Sequence, residues 1–239
     1  MKYKSTIITT ILMLILVFIL ILPFIINERL VYSTDIENLL KAPNSQYIFG
    51  TDGLGRDMRF RIIKALYNSL ITGIKGSLIS ISIGLFIFIL FKKFIWNIIN
   101  IWIVFPFNMF ILLLILLFSD FHNFYLISGI VFSINILFFL KSLNFKLSNN
   151  DKFSVFFTMF FHILGLIILA EVTLGYLGFT FMQPEPSFGN ILLQARENIL
   201  SSWWLIFIPG IFLIFLNFII MYFELYFKKN IKNFKEKYF

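Results

Sequence analysis

The chain has 239 residues, 59% hydrophobic and 20% aromatic, with a formal net charge of +8 and a mean hydropathy of +0.91. A soluble domain could not bury that much apolar surface, so the composition predicts an all-α, multi-spanning membrane protein. The excess of positive charge does not point to nucleic acid, because in a membrane protein the position of each charge along the chain carries the information. The chain contains no cysteine, which excludes disulfides, thiolate metal sites and a cysteine nucleophile.

Thr6 to Ile26 is the first apolar run, and at about 1.5 Å per residue it reaches about 30 Å, one hydrocarbon core. Lys2 and Lys4 precede it as they would a signal peptide. The run is longer than a signal core, however, and Pro23 to Asn27 offers no small-residue cleavage site, so it reads as the first span. Asn27 to Asp57 is polar, with Pro43-Asn44-Ser45 as a turn. Within it, Phe49 to Arg61 carries three glycines, two acids and three arginines. Gly50 to Gly55 lacks the Gly-Lys-Ser/Thr of a phosphate loop and follows no strand, so it reads as a glycine-rich turn with positive φ. Asp57 then caps a helix starting at Met58, and Asp52 or Asp57 pairs with Arg56, Arg59 or Arg61.

A helix from Met58 to Phe91 would be about 50 Å long, more than the hydrocarbon needs, so its first turns stand outside the membrane. Lys75 falls near the opposite interface, where its stem can snorkel, and Lys92-Lys93 closes the span. Phe94 to Phe118 is the third span, in which Pro106 marks a kink or a helix start. Phe124 to Leu140 is a short fourth span, and Lys141 to Lys152 reads as a loop carrying Lys141, Lys146, Asp151 and Lys152. Phe153 to Tyr176 is the fifth span. A polar excursion from Gly178 to Ser202 contains Pro184-Glu-Pro186-Ser187-Phe-Gly189-Asn190. Asn190 is expected to cap a helix from Ile191 to Leu200 with Leu192, Ala195 and Ile199 on one stripe, either lying on the interface or serving as a lid or docking surface. Trp203-Trp204 reads as an interface anchor for the sixth span, Trp203 to Phe227, before a basic tail.

Twelve lysines (2, 4, 92, 93, 141, 146, 152, 228, 229, 232, 235 and 237) fall at the start, in the even-numbered connections or in the tail. The other face carries both signs. The positive-inside rule therefore predicts six spans with both termini cytoplasmic, and puts the Phe49–Arg61 block and the Pro184–Asn190 loop on the outer face. Glu171 is an acid inside an apolar segment, either a functional intramembrane carboxylate or a group near the outer interface that is simply hydrated or hydrogen-bonded. His162, in the fifth span, fits an interhelical hydrogen bond better than a ligand. No His, Asp or Glu set has metal spacing and no Ser/His/Asp set suggests hydrolysis, so the expectation is a non-enzymatic chain without a metal.

Phe49-Gly50-Thr51-Asp52-Gly53-Leu54-Gly55-Arg56-Asp57 resembles the F-G-T-D-x-L-G-R-D segment of C-type permease subunits in ABC importers for dipeptides, oligopeptides and nickel. Ser69 to Gly73, Phe105-Pro106, Glu171 to Gly178, Pro184 to Asn190 and Trp204 to Gly210 are similar to further family motifs, in the same order. The resemblance implies a type I importer permease in a bacterial inner membrane, with residues 1–68 as first span plus outer segment and 69–239 as a five-helix core. It implies a B-type permease partner, two ATPase subunits that bind the ATP, and an extracytoplasmic binding protein, with no cofactor on this chain and no nucleic acid. The family's E-A-A…G coupling loop would fall at Lys141–Lys152, where this chain is short; from Ile130 to Leu164 it has no Gly, Ala or Glu. A second expectation is therefore a permease-derived membrane subunit that has lost ATPase coupling.

Overall fold

The computed structural model describes residues 2–98, 107–118, 123–142, 149–179 and 184–231. Among the described residues the regular structure is helical, and the only bridge is an isolated antiparallel one between Thr51 and Asp57. The helices are α1 (Lys2–Ile25), α2 (Glu28–Tyr32), α3 (Met58–Ile98), α4 (Phe107–Phe118), α5 (Phe124–Ser142), α6 (Asn149–Tyr176), α7 (Phe188–Ala195) and α8 (Trp204–Lys229). Short 3-10 turns follow at Ile36–Asn38 and Arg196–Asn198. Four stretches are long and apolar enough to cross a membrane: Ile7–Ile25, Met58–Phe91, Asp151–Tyr176 and Trp204–Lys229, with Phe124–Leu140 shorter.

The ends of these helices have local causes. The Asp57 carboxylate accepts from the Arg59 amide at 2.8 Å, satisfying one of the open donors at the start of α3. Thirty-four residues later the backbone leaves helical geometry at Phe91 (φ −120°, ψ 19°), beside the Lys92-Lys93 pair. That stretch is about 50 Å long against a hydrocarbon core of about 30 Å, so roughly four turns are surplus to the crossing. Lys228 and Lys229 lie in the last turn of α8, where cations suit the exposed carbonyls. Pro106 lies outside the described residues; α4 begins at the next residue, Phe107.

One expectation needs correcting here. Lys141 to Lys152 is not a loop throughout: α5 continues through Lys141 to Ser142, and α6 begins at Asn149, so Asp151 and Lys152 are helical. The apolar pattern ends before the helix does, because polar residues extend a helix beyond the bilayer as readily as they leave one. Lys146 lies outside the described residues.

The chain divides into two compact units. The first comprises residues 1–71 and 171–219. Its core holds Met58, Ile62, Ala65 and Leu70 of α3, Val172 and Leu174 of α6, Phe188, Ile191 and Ala195 of α7, and Trp204 and Leu216 of α8, all buried. Ile11, Leu14 and Phe18 of α1 are exposed, as suits a helix meeting lipid. α7 lies against the end of α6 so closely that a Cβ on Gly189 would come 2.6 Å from Gly175 Cα.

The second unit comprises residues 72–170 and 220–239. Small residues on α3 let its neighbours approach: a Cβ on Gly76 would meet Ile167 of α6 at 2.6 Å, and one on Gly84 would meet Ile136 of α5 at 2.6 Å. Phe161 of α6 stacks on Phe223 of α8, and Phe157 on Phe227, each at 4.9 Å between centroids. Lys75 is exposed and its Nζ lies 5.3 Å over the Tyr125 ring.

Candidate functional site

The glycine-rich segment folds into a hydrogen-bonded turn, and its first job is to place Asp52. Gly50 and Gly55 both have positive φ (74° and 73°), which lets the chain fold back so that Met58 N donates to Gly50 O at 3.1 Å. At Gly55 a side chain would also collide with the Asp35 carbonyl. Gly53 has neither feature, and it and Leu54 are exposed. Thr51 is completely buried: its hydroxyl donates to Asn38 O at 2.6 Å and accepts from Lys41 N at 2.8 Å.

Asp52 is the hub. Its Oδ1 accepts from the amides of Leu54 (2.9 Å) and Arg56 (3.0 Å), and its Oδ2 from Arg56 Nε at 2.8 Å. Arg61 Nε lies 3.3 Å from the same Oδ2. Arg56 and Arg61 are 3% and 1% exposed, and both donate an Nη2 to Gln194 Oε1 of α7, at 2.9 and 3.3 Å. Asp57 pairs instead with Arg59, at 3.1 Å.

The Pro184–Asn190 segment meets this cluster through α7. The helix begins at Phe188, three residues earlier than expected, and Ser187 is its cap: Ser187 Oγ accepts from Asn190 N at 3.2 Å, while Asn190 Oδ1 accepts from Ser187 N at 2.9 Å. Asn190 is thus the third helical residue of a capping box, not the cap itself. The buried stripe is Phe188, Ile191 and Ala195; Ile199, expected on it, lies beyond the helix and is 55% exposed. Asn190 Nδ2 also donates to Glu185 O at 2.6 Å, and Asn68 Nδ2 to Pro186 O at 2.9 Å. Tyr32 of α2 donates its hydroxyl to Glu185 Oε1 at 2.9 Å; burial, then that hydrogen bond, push the phenol well above its usual range, keeping the donor protonated.

Glu171 is completely buried. Its Oε2 accepts from Ser69 Oγ of α3 at 2.9 Å, and its Oε1 has no hydrogen-bond partner among the described residues. His162 Nδ1 lies 3.0 Å from Glu224 Oε1 of α8, an interhelical contact in the second unit. Trp204 is not an interface anchor: it is 5% exposed, and its indole N–H donates to Thr51 O at 3.2 Å. Trp203 is the exposed member of the pair. Among the described residues no group of three or more His, Asp or Glu could hold a metal ion.

Sequence reasoning missed Gln194, Asn68, Tyr32 and Trp204 as members of this network. Gln194 sits in no motif, and its one visible sign is a polar residue three positions after Ile191, beside the buried stripe.

Fold and site together define an α-helical multi-pass membrane protein whose polar segments fold against the ends of its helices. A stretch of 44 residues, 18% of the chain, is similar to permeases of peptide transport systems. It is 43% identical to a "Putative peptide transport system permease protein" of Brucella suis biovar 1 and to one of Brucella melitensis biotype 1. It is 39% identical to the "Di/tripeptide transport system permease protein DppC" of Pseudomonas aeruginosa. The match spans 14–15% of those proteins' length. No protein-family model matches the chain.

Proposed function

We propose that this chain is a six-span permease subunit of an ATP-driven peptide importer in a bacterial inner membrane, with both termini cytoplasmic. The observation that carries the reading is the 44-residue similarity to peptide transport permeases. The ordered motifs from Phe49 to Gly210 and the lysine asymmetry support it. In this reading the chain forms half of a translocation pathway with a B-type permease. Two ATPases bind the ATP, and a binding protein delivers peptide to the outer face, where the Gly50–Asp57 turn and the Pro184–Asn190 segment lie. Transport proceeds by alternating access, the ATPases shifting the population between inward- and outward-open states.

In this reading an ATPase meets the chain near Lys141, Asp151 and Lys152, which lie at the ends of α5 and α6. The test is purification of the membrane complex through a tag on this chain. An ATPase should co-purify, and in proteoliposomes a peptide-loaded binding protein should raise ATP hydrolysis. Recovery of the chain with a B-type permease but no ATPase would replace this reading with that of an uncoupled, permease-derived subunit.

A further inference from the structure

The charges of the cluster around Asp52 do not balance. Two buried guanidinium groups, Arg56 and Arg61, share the single carboxylate of Asp52. Neighbouring carboxylates are engaged elsewhere: Asp57 with Arg59, Glu28 with Lys64, Asp35 with Asn38, Glu185 with Tyr32 and Asn68, and Glu171 with Ser69. The hydrogen bonds tell the same story. The buried side-chain nitrogens without a hydrogen bond around Asp52 and Asp57 are Arg59 Nε, Arg61 Nη1, Gln194 Nε2 and Arg61 Nε, the last touching Asp52 Oδ2 only as an ion pair at 3.3 Å, and every one of them is a donor.

Where the two guanidinium groups converge, the acceptor is a neutral amide oxygen, Gln194 Oε1. A carboxylate there would make charge-assisted bonds about twice as strong as neutral ones and cancel the excess charge. Water could satisfy the orphaned donors but not the charge. Gln194 is partly exposed, so a swing of its side chain opens the place to solvent.

We propose that Arg56 and Arg61 form a carboxylate-binding site on which the Gln194 amide rests as a neutral stand-in. This goes beyond the permease reading and does not depend on it. The carboxylate comes either from a small free acid or from an acidic side chain of another protein.

Thermal unfolding of the detergent-purified full chain, followed by tryptophan fluorescence, tests the proposal; Trp204 is bonded to Thr51, next to Asp52. Gln194→Glu supplies the carboxylate within the chain and is expected to raise the melting temperature above wild type. Sodium acetate is compared with equal sodium chloride on the wild type and on Arg61→Lys. A saturable upward shift with acetate, weakened by Arg61→Lys, assigns the site to free carboxylates. A rise in Gln194→Glu without an acetate effect assigns it to a carboxylate borne by another protein. If Gln194→Glu melts at or below wild type and acetate acts no differently from chloride, the proposal is overturned.

Discussion

Gly55 tolerates no side chain. Its φ of 73° is left-handed, and a Cβ would strike the Asp35 carbonyl, which is backbone and cannot step aside. Gly55→Ala should therefore cost about 1–3 kcal/mol of stability, read as a lowered melting temperature. Gly53 sits two positions earlier with nothing within 4 Å of where its Cβ would be, and Gly53→Ala should leave that temperature nearly unchanged. A second single-residue test concerns Ser69, which donates to the buried Glu171 carboxylate at 2.9 Å. Ser69→Ala removes that donor from a buried carboxylate and should cost about 1–3 kcal/mol, whereas Glu171→Gln keeps an acceptor for Ser69 and should cost less. Asp57 as the cap of α3 was legible, because an acid directly before a helical run has a known job. Trp204 was not: Trp-Trp at the head of an apolar run fits an interface belt equally well, and only the folded turn shows Thr51 O waiting for the indole.

At the scale of elements, α7 depends on its first turn. Ser187 and Asn190 close a reciprocal pair of hydrogen bonds, and Ser187→Ala should lower stability by about 1 kcal/mol. Gly189, against Gly175 of α6, has no room at all; Gly189→Val should do more damage than the lost cap, by about 1–3 kcal/mol of overpacking. Thermal unfolding of the two variants beside wild type ranks them. Asn190 read as the cap because it directly precedes an apolar run, whereas the cap is Ser187, a residue equally able to bond a free helical amide. The choice was made by Phe188, whose burial pulls the helix start back to meet it. The long helices were easier to read. The apolar stretches of α1, α3, α6 and α8 and the break at Phe91 follow from length, hydropathy and the position of lysine pairs, which are properties of the chain alone.

For the whole molecule the open quantity is orientation. The chain has no cysteine, so single cysteines can be introduced on a silent background. In the proposed orientation Gly53→Cys should react with a membrane-impermeant maleimide in intact spheroplasts, and Lys152→Cys only after permeabilisation. Labelling in the reverse pattern would turn the proposed topology over.

The close ion pairs of the Asn27–Arg61 segment bear on the order in which the chain can fold. From Asn27 to Arg61 five acids (Glu28, Asp35, Glu37, Asp52, Asp57) face five bases (Arg29, Lys41, Arg56, Arg59, Arg61), so the segment has no net charge. Asp52 pairs with Arg56 four residues on, and Asp57 with Arg59 two residues on. Neither pair needs α6, α7 or α8, so both can close while the ribosome is still making the rest. Lysines and arginines close to a span set its orientation, and acids beside them offset that little. The pairs that shape the finished turn are thus drawn from neighbours in sequence and can form before there is any fold for them to stabilise.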